Sequence, residues 1–126
     1  MAIMFDLANF DITRFQANAG DAARLLRALA NERRLMILCQ LADEERSVGQ
    51  LQPLVGLSQS ALSQHLAVLR DEGVVATRRE AQTVWYRIAD PAALKVVATL
   101  AEIFCPEDMK APHDRKPPLP KPDRGR

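Results

Sequence analysis

The chain holds only two cysteines, Cys39 and Cys105, too few for the disulfide framework that stabilises small secreted domains. No basic residue precedes the apolar positions of residues 1–10, which argues against an export signal and points to the reducing cytoplasm, where both cysteines are thiols. No apolar run approaches the roughly 18 residues that cross a bilayer, so no membrane role is expected. An excess of either charge is also missing: 17 Lys and Arg against 16 Asp and Glu leave a net charge of +1. Any contact with nucleic acid must therefore come from a local basic patch. There is no glycine-rich phosphate loop, no histidine cluster at metal spacing and no nucleophile with an evident base, which argues against an enzyme and against a resident cofactor or metal.

What remains is a globular composition, 48% hydrophobic and 26% charged over 126 residues, which suits one domain with a tail. Six of the eight prolines follow Cys105, mixed with lysines and arginines. Residues 106–126 therefore read as a disordered Pro/basic tail, either a solvated end or an arm that touches phosphates. Residues 18–105 are the expected folded domain. Residues 1–17 form an N-terminal extension that can itself be helical.

Within the domain, Leu25, Leu26 and Leu29 recur at helical spacing in 22–29. Asn31 is placed to cap a second helix over 34–41 whose inner face would carry Leu35, Leu38, Cys39 and Ala42, leaving Cys39 buried. Ser47 caps a short third helix bearing Val48, Leu51 and Leu54, and Gly56 can end it in a left-handed turn. Ser58 then caps a fourth helix over 59–72 with Leu62, Leu66 and Leu69 in one line, stopped by Gly73. Past Gly73 the pattern changes to β-rich runs at 74–77 and 83–88 around the polar stretch 78–82, a hairpin. Asp90 and Pro91 open a last helix reaching about Cys105. The expected class is mainly α with a small β-hairpin, in the order α-α-α-α-β-β-α of a winged helix-turn-helix.

Opposite the leucine line of the fourth helix lie Ser60, Ser63, Gln64 and Ala67, a small polar face of the kind that enters a major groove. Taken alone it is equally an ordinary solvated face. The preceding turn and the hairpin arginines favour DNA: Ser60, Ser63 and Gln64 toward bases, Gln59 at the helix start, and Arg78, Arg79 and Gln82 toward phosphate or minor groove. His65 sits beside the leucine line as a packed, hydrogen-bonded histidine. The last helix is apolar nearly all round, with one stripe of Leu94, Val97, Ala98, Ala101 and Phe104 and another of Val96, Leu100 and Ile103. A second stripe calls for a partner chain, hence a homodimer through this helix and the N-terminal one, with burial inside the monomer as the other reading.

The segments ALANERRL (28–35), GLSQSALSQHLAVLR (56–70) and VATRREAQTVWYRI (75–88) together resemble the ArsR-type winged helix-turn-helix repressors over most of 18–105. The resemblance implies a dimeric transcription regulator of operator DNA, with its recognition helix at 59–72 and its wing centred on 79–82. Many members sense metals through a Cys-x-Cys pair before the recognition helix or Asp and His ligands on the last helix. This chain has neither, and two cysteines fit poorly to structural zinc or trivalent arsenic.

A cysteine on the second helix and another at the end of the last resembles the sulfide- and persulfide-responsive, BigR- and SqrR-like branch. That resemblance implies a small reactive sulfur species as inducer, with Cys39 and Cys105 persulfidated or bridged and operator affinity lowered. Read from the residues alone, two inert structural cysteines remain open. A general oxidant or a soft metal ion as inducer, and a protein-interaction module that reuses the fold, also remain open.

Overall fold

The computed structural model describes residues 9–105, so the tail at 106–126 and the first eight residues lie outside the described residues. The element order is α1 (Ile12–Leu29), α2 (Glu32–Leu41), β1 (Arg46–Ser47), α3 (Val48–Val55), α4 (Gln59–Asp71), β2 (Val75–Glu80), β3 (Thr83–Ile88) and α5 (Pro91–Phe104). α1 starts where the Asp11 carboxylate accepts from Arg14 N–H, inside what reads as the extension, and the 17/18 division falls within this continuous helix.

Capping side chains explain where the other helices begin. Asn31 accepts from Arg34 N–H, Ser58 from Ala61 N–H, and Asp90 from Ala92 N–H just ahead of Pro91. Ser47 and Gln50 form a reciprocal capping box on α3, satisfying two backbone donors at once. α4 ends in a Schellman motif: Gly73 takes a left-handed φ of 76°, Gly73 N–H reaches Arg70 C=O at 3.0 Å, and Val74 N–H reaches Leu69 C=O at 2.9 Å. Leu69 and Val74 are both buried, the apolar contact that accompanies this motif.

α2 is the central helix and touches α1, α3, α4, α5 and β3. The core is Ala28 and Leu29 of α1, Ile37, Leu38 and Leu41 of α2, Leu51 and Val55 of α3, Leu62, Leu66 and Leu69 of α4, Val74 and Val75, and Ala93 and Val97 of α5. The leucine line of α4 is thus the buried one. Two other expectations are corrected. On α2 the buried residues are Ile37, Leu38 and Leu41, so Leu35 is only half-buried and Cys39 and Ala42 are exposed. The α2 face turned to the core is rotated from the expected row toward Ile37 and Leu41, and Cys39 falls on its flank. On α5 the buried pair is Ala93 and Val97, with Val96, Leu100 and Ala101 half-buried and Leu94, Ala98, Ile103 and Phe104 exposed. Leu26 of α1 and Leu54 of α3 are likewise exposed.

The sheet is three-stranded and antiparallel in the order β1-β3-β2. β1 is an addition to the expected order; it pairs Arg46 with Tyr86 and Ser47 with Trp85. Two residues give no periodicity to read, and Ser47 is also the α3 cap. β2 runs on to Glu80, so Arg78 and Arg79 belong to a strand and the loop shrinks to Ala81 and Gln82 between the paired Glu80 and Thr83. Alternation then separates the arginines: Arg78 shares a face with Trp85, and Arg79 lies on the opposite face with Val84.

Candidate nucleic-acid interface and dithiol pocket

Gly56 ends α3 in a left-handed turn with φ 69°, and α4 restarts at Gln59. This short hinge fixes α4 against α3 while the buried leucines orient it. Gln59, Ser60, Ser63, Gln64 and Ala67 are all exposed on the side away from the core, forming one polar face without bulky charge. His65 is half-buried, and its Nδ1 lies 3.5 Å from Arg34 Nη1. Arg34 also donates through Nε to Ala28 C=O at 2.6 Å and through Nη2 to Arg27 C=O at 3.3 Å. A single guanidinium thereby closes the C-terminal carbonyls of α1 and meets α4. Nothing in the sequence marks this role of Arg34, since its partners are defined by tertiary packing.

The wing divides its arginines. Arg78 Nε donates to both Glu45 carboxylate oxygens at 2.9 and 3.0 Å, and Nη2 lies 2.8 Å from Glu45 Oε1. Arg78 Nη1 reaches Glu80 at 3.3 Å, and the guanidinium carbon sits 5.6 Å from the Trp85 ring centre. The hydrogen bond from Arg78 holds the Glu45 carboxyl below the usual carboxylate range. Arg79 and Gln82 are exposed, and neither side chain makes a hydrogen bond or ion pair among the described residues. Nothing in the sequence marks Glu45 as part of the wing, because it lies in the α2–β1 connection, remote in the chain from the hairpin.

Cys39 and Cys105 are free thiols on exposed residues, and the fold brings them to one place. Between α2 and α5 a cavity of about 310 Å³ is lined by Leu35, Cys39, Val97, Leu100, Ala101, Phe104 and Cys105. Its walls are apolar apart from the two sulfurs. Burial against these walls pushes the Cys39 thiol above its ordinary range, and repulsion from neighbouring Cys105 adds to the shift. Among the described residues no group of three or more His, Cys, Asp or Glu is arranged to hold a metal ion, and no helix is long and apolar enough to cross a membrane.

A capped helix pair, an exposed polar second helix and a β-wing beside it define a winged helix-turn-helix DNA-binding protein. Residues 31–77 match the model of the bacterial regulatory proteins of the arsR family. The chain is 48% identical over 98 residues to the transcriptional activator HlyU of Vibrio cholerae, covering 78% of this chain and 91% of that protein. Among solved structures, the transcriptional repressor BigR of Xylella fastidiosa superposes with a TM-score of 0.72 at 38% identity, over 76% of this chain and 98% of that one. The homodimeric winged helix-turn-helix domain Mb0332 of Mycobacterium bovis superposes with a TM-score of 0.63 at 34% identity, over 82% of this chain and 94% of that one. The chain belongs to the ArsR family, and it is a DNA-binding transcriptional regulator rather than an enzyme.

Proposed function

We propose that the protein is a homodimeric repressor of operator DNA that reactive sulfur species switch off through Cys39 and Cys105. The observation that carries the sensing half is the shared apolar cavity holding both thiols between α2 and α5. α2 also packs against α4, as α3 does, so a change at its Cys39 flank has a direct route to the DNA-reading face. An outer sulfur passes from a persulfide RSSH to Cys39, forming Cys39–S–SH and releasing RSH. Attack by Cys105 on the inner sulfur then closes a disulfide and releases hydrogen sulfide. If Cys105 is itself persulfidated first, the two persulfides condense to a trisulfide with the same leaving group. A bridged state that disfavours the operator-bound form by about 1.4 kcal/mol lowers DNA affinity tenfold.

Dimerisation is supported by the apolar side chains that both terminal helices leave in the open: Ile12, Phe15 and Leu26 on α1, and Leu94, Ile103 and Phe104 on α5. DNA reading is assigned to Ser60, Ser63 and Gln64 with Gln59 at the helix start, and to Arg79 and Gln82 on the wing.

The deciding experiment titrates labelled promoter DNA with reduced, peroxide-treated and persulfide-treated protein, with mass spectrometry of each form. Loss of affinity with added sulfur atoms or a sulfur bridge after persulfide, and its absence in Cys39→Ser, is the expected result. Unchanged operator binding after persulfide sinks the sensing reading. A retained metal, or an equal response to peroxide, replaces it with a different inducer. Because the folded Cys39 thiol has a raised pKa, the thiol form persists past the ordinary range. Its alkylation rate is therefore expected to keep climbing with pH beyond the point where a free cysteine levels off.

A further inference from the structure

We propose that Arg78 is a positioning residue that fixes the wing through Glu45 and Trp85, and that the wing's phosphate contact is made by Arg79. This deepens the DNA-reading assignment and rests on it. The sequence presents Arg78 and Arg79 as an equivalent pair, yet pleating sends them to opposite faces of β2. Arg78 is held in a fork by both oxygens of Glu45, a geometry that matches guanidinium to carboxylate and leaves few donors free. Nη1 also donates to Glu80, and the planar group lies over the indole of Trp85, an attraction that adds to the ion pair.

Two carboxylates therefore already offset the charge of this cation, although its side chain is 47% exposed, so a DNA phosphate gains less from it than from an unpaired arginine. Glu45 lies in the connection between α2 and β1, while Arg78 and Trp85 lie on the two wing strands. The clamp thus ties the hairpin to the helical body midway along its strands, two residue pairs back from the tip. Trp85 pairs with Ser47 on one side and Arg78 on the other, so the same residues set the angle at which β2 and β3 leave the domain. Arg79, exposed and with no ion pair among the described residues, keeps its charge available.

The test uses the full chain and a labelled random-sequence duplex, and measures the slope of log affinity against log salt concentration. Removing one phosphate contact flattens that slope by about 0.9. Arg79→Ala is expected to flatten it by that amount per protomer bound, whereas Arg78→Ala and Glu45→Gln weaken binding severalfold without changing the slope. A second readout is intrinsic: Trp85 is the chain's single tryptophan, so its emission reports on the clamp directly. Arg78→Ala and Glu45→Gln are expected to shift the emission and raise its quenching by acrylamide, and Arg79→Ala to leave both unchanged. Equal slope changes for Arg78→Ala and Arg79→Ala, whether both large or both nil, overturn the proposal, as does an emission spectrum indifferent to Glu45→Gln. A wild-type protein with no salt-dependent binding overturns the DNA assignment along with it, and that outcome is recognised before any variant is compared.

Discussion

α4 and α5 are of nearly equal length, 13 and 14 residues, and each buries one apolar line against α2 or its neighbours. Their outward faces are opposites. α4 offers water Gln59, Ser60, Ser63 and Gln64, while α5 offers Leu94, Ile103 and Phe104, the last two 61% and 75% exposed. A polar face of short side chains is stable in solvent and can exchange water for base edges and phosphates at little desolvation cost. An apolar face gains nothing from water and is satisfied only by another apolar surface. In the proposed regulator the first helix stays uncovered until DNA arrives and the second is covered by a partner protomer, and the dithiol cavity lies on the flank of the second.

Removing a buried leucine tests the shared half of this comparison and carries the largest effect. Leu66 is 1% exposed in the centre of the α4 line, and Leu66→Ala is expected to cost about 3 kcal/mol in denaturant unfolding. A loss below about 1 kcal/mol would mean that α4 is not anchored through that line. The outward faces come next. Ile103→Glu places a charge on the apolar side of α5 and is expected to raise the dimer dissociation constant at least about a hundredfold, or roughly 2.7 kcal/mol, in sedimentation equilibrium. An unchanged dimer would move the partner surface off α5. Gln64→Ala leaves folding intact and is expected to reduce the preference for operator over random DNA by about tenfold, near 1.4 kcal/mol. Equal losses on both DNAs would remove Gln64 from the base-reading face and narrow the contrast between the helices.

Local chemistry makes much of this legible in the sequence. Asn31, Ser47, Ser58 and Asp90 each cap the helix their position announces, because a cap is a hydrogen bond to a donor two or three residues away. The α4 leucines are unambiguous because one apolar row faces one polar row. α2 is harder: its apolar residues do not fall on one side, the spacing suggests Leu35, Leu38, Cys39 and Ala42, and only the packing of α3, α4 and α5 around the helix selects Ile37, Leu38 and Leu41. The same ambiguity makes Cys39 look like a core residue in the sequence, although exposure on the flank is what lets it meet Cys105 in one cavity. The roles of Glu45 and Arg34 cannot be read at all: the Glu45–Arg78 ion pair joins residues distant in sequence, and Arg34 reaches the α1 carbonyls and His65 only through tertiary packing.

The smallest effects distinguish two left-handed residues, one after α4 and one at the wing tip. Gly73, after α4, has φ 76° with open space where a Cβ would go. Gly73→Ala therefore carries the conformational penalty alone, and a destabilisation of about 1 kcal/mol is expected. At the wing tip the pattern is inverted: Ala81 has φ 56°, a non-glycine residue at the first position of a two-residue hairpin loop, where glycine is the usual choice. Ala81→Gly relieves that strain, offset in part by the greater freedom of glycine in the unfolded chain, and a net gain of about 0.5 kcal/mol is expected in thermal unfolding. The two substitutions exchange the same pair of residues in opposite directions, so the signs of their effects must also be opposite. If Ala81→Gly instead destabilises the protein, the tip is held by more than its own backbone, and the wing cannot be treated as a hairpin fixed only through Glu45, Arg78 and Trp85.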